Sequence, residues 1–376
     1  MPSFRTPTVV SLSALALLVA SGILYAGPLT PPAGPVASTA KTLGEVEPRI
    51  AINAVNTPGD ANCLFKITQP GSYYLTGNIT GVAGKHGVII TSSGVTLDLN
   101  GFDIAGLPGM GGFDGVVCSS NFQTNIAVLN GSVRNWGRHG VNLGEFVVTG
   151  GRIENVNASG NANVGCYAGG STTISGCTAN GGNYGILARA GSTISNCSAT
   201  NANIAGIYAD SSSLINCSAF GNESDGIQAV DSCMVTNCTS RSNTRHGILL
   251  TNGSTVSDCT TRENGGSGIQ CRHSNVLRKN NSFNDGFLDF TAAGIHVLEG
   301  DNRIEGNNCT YSSQGFRIDG ASNFIVQNSC RNNGINWNVA EGNVIWVVQG
   351  FAASGFSGNS GGSPLGSIDG HANFTY

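Results

Sequence analysis

A glycine followed by an apolar residue returns about every 21 residues: Gly165-Cys166, Gly185-Ile186, Gly206-Ile207, Gly226-Ile227, Gly247-Ile248, Gly268-Ile269, Gly294-Ile295, Gly315-Phe316 and Gly334-Ile335. A fixed period of this size marks a solenoid, in which each repeat buries its apolar face only against its neighbours. The residues after each glycine alternate. Ile186 and Ala188, Ile207 and Ala209, Ile227 and Ala229, and so on to Phe316 and Ile318, hold the first and third places, which a strand turns to one face. That face is the expected core. The second and fourth places, among them Leu187, Tyr208, Gln228, Gln270, His296 and Arg317, form a mixed, polar outer face.

About ten residues before each glycine stands a second short strand that ends in a turn, as in Thr193-Ile-Ser-Asn-Cys197, Leu214-Ile-Asn-Cys217 and Met234-Val-Thr-Asn-Cys238. Two or three short strands per repeat, joined by Asn, Ser and Gly turns, leave no room for a helix. Leucine-rich and helical repeats are therefore disfavoured. Cys177, Cys197, Cys217, Cys238 and Cys259 share one place in successive repeats, and Asn280, Asn307 and Asn328 continue the column. An internal ladder of buried thiols and stacked amides is expected, with side chains nearly 5 Å apart, somewhat wide for disulfides. Cys309 and Cys330 also repeat in register and are the one pair left open for bonding. No closely spaced Cys and His set suggests zinc.

The period extends upstream through His86-Gly87-Val88, Asp114-Gly115-Val116 and His139-Gly140-Val141, which gives one domain over residues 60–349. Residues 1–26, with Arg5 before the apolar run Val9 to Ala20, read as a signal peptide cleaved near Ala26; an uncleaved membrane anchor is the alternative. Residues 27–59 are a Pro-rich linker and an N-terminal cap, the cap expected within Glu45 to Val55. The Gly/Ser-rich residues 350–376 are a tail or a cap over the open core. The expected location is secreted, extracellular, periplasmic or at the cell surface. Glycine at 55 of 376 residues and only 11% charge suit a turn-rich solenoid, and a net charge of −4 gives no reason to expect nucleic acid.

Ser93-Gly-Val-Thr-Leu-Asp-Leu-Asn-Gly-Phe102, Asn130-Gly-Ser132 and the Asn-Cys and Gly-Ile rungs from 174 to 335 resemble the right-handed parallel β-helix proteins of the pectin-lyase-like superfamily, including secreted bacterial members. The resemblance covers about three quarters of the chain. It implies an all-β, single-stranded right-handed parallel β-helix of about twelve rungs. Enzymes of that group cleave or epimerise acidic polysaccharides on one exposed sheet, while others are tailspikes, adhesins or periplasmic maturation factors. The local signatures of polygalacturonases, calcium pectate lyases and alginate epimerases are missing here. Arg138-His139-Gly140 and Arg245-His246-Gly247 share only His-Gly with the first of them.

The strongest candidate site lies late on the outer face. Gln270, His296 and Arg317 hold equivalent places in three successive repeats, with Arg272, His273, Glu299 and Asp319 beside them. The repeat from Gly268 to Gly294 is the long one, and its extra residues, Asp285, Phe287, Leu288, Asp289 and Phe290, are expected to form a wall. In a β-elimination on a uronic acid polymer, Arg317 or Arg272 would neutralise the carboxylate and His296 would take the ring proton. A hydrolase would need two carboxylates, for which Glu299 with Asp319 or Asp289 is the nearby set. Tyr167, Tyr208, Gln228 and Gln270 are expected to bind substrate, the rings by stacking on sugars. The expected partner is a polysaccharide or cell-surface glycan, with membrane contact only through an uncleaved N-terminus. No cofactor is evident, and calcium stays open as one. The rival expectation is a non-catalytic structural or adhesive solenoid whose outer polar residues are a solvated face.

Overall fold

The computed structural model describes residues 47–119, 122–145, 148–349, 356–358 and 370–375. The signal peptide expected at 1–26, the linker up to residue 46 and most of the tail lie outside the described residues. From Arg49 onward the chain is one compact unit. Among the described residues it contains strands and turns and no helix.

The strands coil into a parallel β-solenoid. One sheet, here called the front sheet, stacks fourteen strands from Cys63–Ile67 and His86–Ile90 to Ile335–Val339 and Phe356–Gly358. Two rungs exceed the expected twelve. They are the first, where no glycine marks the corner, and the last, set in the Gly/Ser-rich tail. The other two faces are built from triplets such as Thr173–Ser175 and Thr178–Asn180. Ile126–Arg134 and Arg152–Ser159 cross their shared corner unbroken, so both faces join in one sheet of 26 strands.

The glycine period has a steric cause. A Cβ built on Gly140, Gly165, Gly185, Gly247 or Gly268 would sit 2.6–2.7 Å from the carbonyl oxygen of the next glycine in the column. At those glycines the corner has no room for a side chain. The residues after it alternate as expected: Ile186, Ile207, Ile227, Ile248, Ile269, Ile295 and Phe316 stack in register, and all are fully buried. One register is corrected. Phe316 pairs with Trp337, so Asn336 and not Gly334 continues the glycine column, at the regular step of 21. The Trp337 ring stacks on Phe316 at 4.6 Å and 7°, which fixes this register by packing.

Polar ladders occupy the corners. Asn280, Asn307, Asn328 and Asn373 each accept the preceding rung's backbone N–H through Oδ1, at 2.8–3.0 Å. Asn373 belongs to the tail, whose strand Asn373–Thr375 pairs with Val347–Gln349 and so ends the ladder. In the cysteine part of the column, Sγ takes the amide's role: Cys217 N donates to Cys238 Sγ and Cys238 N to Cys259 Sγ, both at 3.4 Å. All twelve cysteines are free and buried, Cys309 and Cys330 included. The turn before this column puts Asn196, Asn216 and Asn237 at φ of 53–56°, a left-handed conformation that asparagine tolerates, which explains the repeated Asn-Cys pair.

Candidate functional site

The late cluster assembles in register. Gln270, His296 and Arg317 are direct neighbours across three rungs, and Asn338 follows. His296, expected on an exposed face, is in fact buried, with 7% of its surface accessible. Both ring nitrogens are engaged: Nε2 lies 2.8 Å from Asp319 Oδ2 and Nδ1 lies 3.2 Å from Gln270 Nε2. A carboxylate at Nε2 and an amide donor at Nδ1 place the proton on Nε2. Burial lowers the His296 pKa, against the opposing pull of Asp319. Burial raises that of Asp319, but bonds from Arg317 and His296 outweigh it and leave it lowered. Arg317 donates to Asp319 Oδ1 at 3.0 Å and to the Thr291 carbonyl. These groups satisfy one another, and no lone pair of His296 is free to act as a base.

Other expected members stand apart. Arg272 pairs with Glu299 at 3.3 Å as a separate exposed ion pair, so neither Glu299 nor Asp319 is an unengaged carboxylate for hydrolysis. Phe287, Leu288 and Phe290 do project, at 51, 63 and 86% exposure. Asp285 is corrected: it is not part of the wall but is buried in a corner ladder, accepting from Asn264, Thr261 and Ser282.

The early part of the front sheet is chemically richer. A groove of about 340 Å³ is bounded by His139, Glu145, Tyr167, Tyr184, Leu187 and Arg189. Tyr167, expected to offer an open ring, is only 8% exposed; its hydroxyl oxygen accepts from Arg189 Nε and Nη2 at 2.8 and 2.5 Å. Among the described residues the Arg189 guanidinium has no carboxylate partner. Tyr208 meets Tyr184, not Tyr167, edge to face at 5.6 Å. Gln228 is held by Asp225 at 2.6 Å.

Behind the groove lies a buried carboxylate. Asp114 accepts Arg138 Nε at 2.8 Å, the His139 backbone N–H at 3.0 Å and Asn142 Nδ2 at 3.0 Å, and Arg138 reaches on to Glu145 at 2.7 Å. His86 Nδ1 accepts the Asp114 N–H at 2.9 Å, which pins its proton to Nε2. His139 differs. Its ring packs 5.3 Å from Tyr167, its Nδ1 is buried without a partner, and burial depresses its pKa, so it is neutral at pH 7 with no contact choosing its tautomer. Asp225, Arg245 and His246 repeat part of this design, Asp225 accepting the His246 backbone N–H at 3.1 Å and Arg245 at 3.2 Å.

Sequence reasoning passed over this cluster by weighing His139 and His246 only against an enzyme signature that they do not complete. The available signal was the place before the rung glycine, which holds His86, Asp114 and His139 in three successive repeats. Residues in that place follow one another from rung to rung, and His86 Nδ1 lies 4.0 Å from Asp114 Oδ2. Among the described residues, no three of His, Cys, Asp or Glu gather closely enough to hold a metal.

Residues 146–284 match the family described as "Right handed beta helix region". The chain has the fold of a right-handed parallel β-helix. Among solved structures, this β-helix is similar to the A-module of the Azotobacter vinelandii mannuronan C-5 epimerase AlgE4, with TM-score 0.60, 16% identity, and coverage of 73% of this chain and 91% of that one. The AlgE6 A-module of the same organism gives 0.53 and 14%, with 81% and 89% covered. At such identities the likeness is one of fold. No curated protein matches the sequence at a significant level.

Proposed function

We propose that the early groove of the front sheet binds an acidic polysaccharide and removes a proton from the sugar carbon next to its carboxylate. The observation that carries this reading is the pairing of an unneutralised guanidinium with an untethered neutral imidazole. Arg189, oriented by the Tyr167 hydroxyl, supplies charge for the sugar carboxylate. His139 receives the proton. In elimination, the electrons of the broken C–H bond form a double bond, the bond to the neighbouring glycosidic oxygen breaks, and that oxygen takes up a proton. Tyr184 and Leu187 give the sugar ring an apolar wall.

The two neighbours named above are epimerases of mannuronan; they support only that such a fold suits such a ligand, and this chain's residues carry the assignment to the groove. A polysaccharide ligand also fits the expected placement outside the cytoplasm. The second reading, a non-catalytic structural or adhesive solenoid, is supported by the late cluster, whose polar groups are spent on one another.

The test is absorbance near 235 nm, with reducing-end release and equilibrium binding in parallel, over pectates, alginates and glycosaminoglycans, with and without calcium. Wild type is compared with a His139→Ala, Arg189→Gln double variant. Weaker binding and loss of product formation in the variant are expected. Binding without product moves the reading to the non-catalytic rod, and binding untouched by the double variant refutes the groove.

A further inference from the structure

The third face of the solenoid, that of the strands Thr178–Asn180 and Ser198–Thr200, carries an outward column unlike its neighbours. Phe220, Arg241, Arg262 and Phe283 follow one another directly in four successive rungs. The Arg241 guanidinium lies 4.7 Å over the Phe220 ring and that of Arg262 lies 5.1 Å over Phe283, which in turn meets Tyr311 at 5.4 Å. Each ring offers its face to the guanidinium of the adjoining rung. Phe220 and Tyr311 are 42 and 54% exposed.

Two like charges in register on adjacent rungs, about 4.8 Å apart, repel. Glu263 answers only one of them: its Oε1 accepts Arg262 Nε at 3.0 Å and Nη2 at 2.8 Å. Among the described residues Arg241 has no carboxylate partner. An anionic group bridging both guanidiniums would relieve the repulsion. The adjacent outward column reads Ser218, Thr239, Thr260 and Asn281, a lane of small hydrogen-bonding groups beside the rings. Anion clamp, flanking aromatic rings and hydroxyl lane together match a sugar chain bearing carboxylate or sulfate. A net charge of −4 opposes a polymer as densely charged as nucleic acid.

We infer that this stripe is a second binding site, for an anionic glycan, on a face other than that of the proposed groove. It needs no chemistry at His139 and stands or falls separately from it. Two sites on one rigid solenoid would hold a polymer more firmly than either does alone.

Affinity electrophoresis of the full chain through gels containing polygalacturonate or chondroitin sulfate tests this, with single-stranded DNA as a competitor. The variants are Arg241→Gln with Arg262→Gln, and His139→Ala with Arg189→Gln. The first pair is exposed, so an unchanged melting temperature is expected and confirms folding. At least a tenfold weaker retardation by one of the two polymers is expected for the first pair, and which polymer responds distinguishes carboxylate from sulfate. Unchanged retardation in that variant overturns the stripe, as does a wild type retarded by neither polymer. Stronger competition by DNA than by free glycan overturns the ligand class. Failure of the groove would show instead as unchanged binding in the His139 and Arg189 variant.

Discussion

Replacing Asp285 by asparagine isolates what one buried charge costs this solenoid. Asp285 occupies a place in the corner ladder that asparagine fills at Asn222, Asn243 and Asn264. Its carboxylate accepts Asn264 N and Nδ2 at 2.9 and 2.8 Å, Thr261 Oγ1 at 2.8 Å and Ser282 Oγ at 2.6 Å, with no cation beside it. Burial raises its pKa from 3.8 to about 6, with those hydrogen bonds pulling the other way. The folded state therefore binds the proton more tightly than the unfolded chain does. That stabilisation is fully present below about pH 3.8 and is lost as pH rises through about 6. Two pKa units correspond to about 3 kcal/mol at about 1.4 kcal/mol per unit.

An amide at position 285 does not titrate, and its environment can receive it. Asn243 Nδ2 already donates to Ser240 Oγ, three residues earlier in its own rung, at 3.0 Å, and Ser282 stands in the same relation to position 285. Asp285→Asn is expected to be more stable than wild type at pH 8 by up to about 3 kcal/mol, with most of the gain gone by pH 4.5. Denaturant unfolding at the two pH values, compared at equal m, reads this difference. A gain that is the same at both pH values, or a loss at pH 8, would refute the assignment of the cost to the charge.

Three further outcomes are expected. Because burial lowers the His139 pKa below the ordinary imidazole value and a base acts unprotonated, the acid limb of any turnover should lie below pH 6.5, as a pH–rate profile would show. Asn307→Ala should cost about 3 kcal/mol in denaturant unfolding, since it strands the Asn280 N–H and the Leu277 carbonyl, which Asn307 Oδ1 and Nδ2 now satisfy at 3.0 and 2.9 Å. Burial pushes the Cys118 thiol up to about 12 and raises Cys271, Cys309 and Cys330 as well, so a thiol reagent counted by mass should label none of these four in the native chain and all of them in denaturant.

The fold was legible because a solenoid writes its geometry into every repeat. Glycine marks a corner with no room for a Cβ, the alternation after it marks the core, and Asn-Cys marks a left-handed turn followed by a ladder. The one slipped register, at Gly334, shows where that reading ends: the dipeptide Gly-Ile occurs there by chance, and the Trp337 and Phe316 stack decides against it. The late site was legible as an arrangement, since Gln270, His296 and Arg317 do stack, but burial and bonding were not. Position on an outward place says nothing of how far neighbouring rungs and the loop before Gly294 cover a side chain. Asp285 escaped for the same reason, being a ladder residue that happens to open the long repeat.

What separates His139 from His296 is vertical neighbours, not local sequence. Both are buried and neutral, and each has a carboxylate in the adjoining rung. Asp319 is placed to meet the His296 ring, whereas Asp114 is drawn to the His139 backbone N–H, to Arg138 and to Asn142, and leaves the ring untethered. A ring bonded at both nitrogens holds the fold; a ring bonded at neither polar end, beside an unneutralised guanidinium, can exchange a proton with whatever enters the groove. In a solenoid, each rung presents the same few outward places, so a change of one residue in the rung above or below converts one role into the other. Asn142 donates to both Asp114 and Glu145. Asn142→Ala should therefore loosen Asp114 toward His139 and raise the His139 pKa, displacing the acid limb of turnover upward with the melting temperature held within a few degrees. An acid limb that stays in place would show that Asp114 does not control the proton on His139.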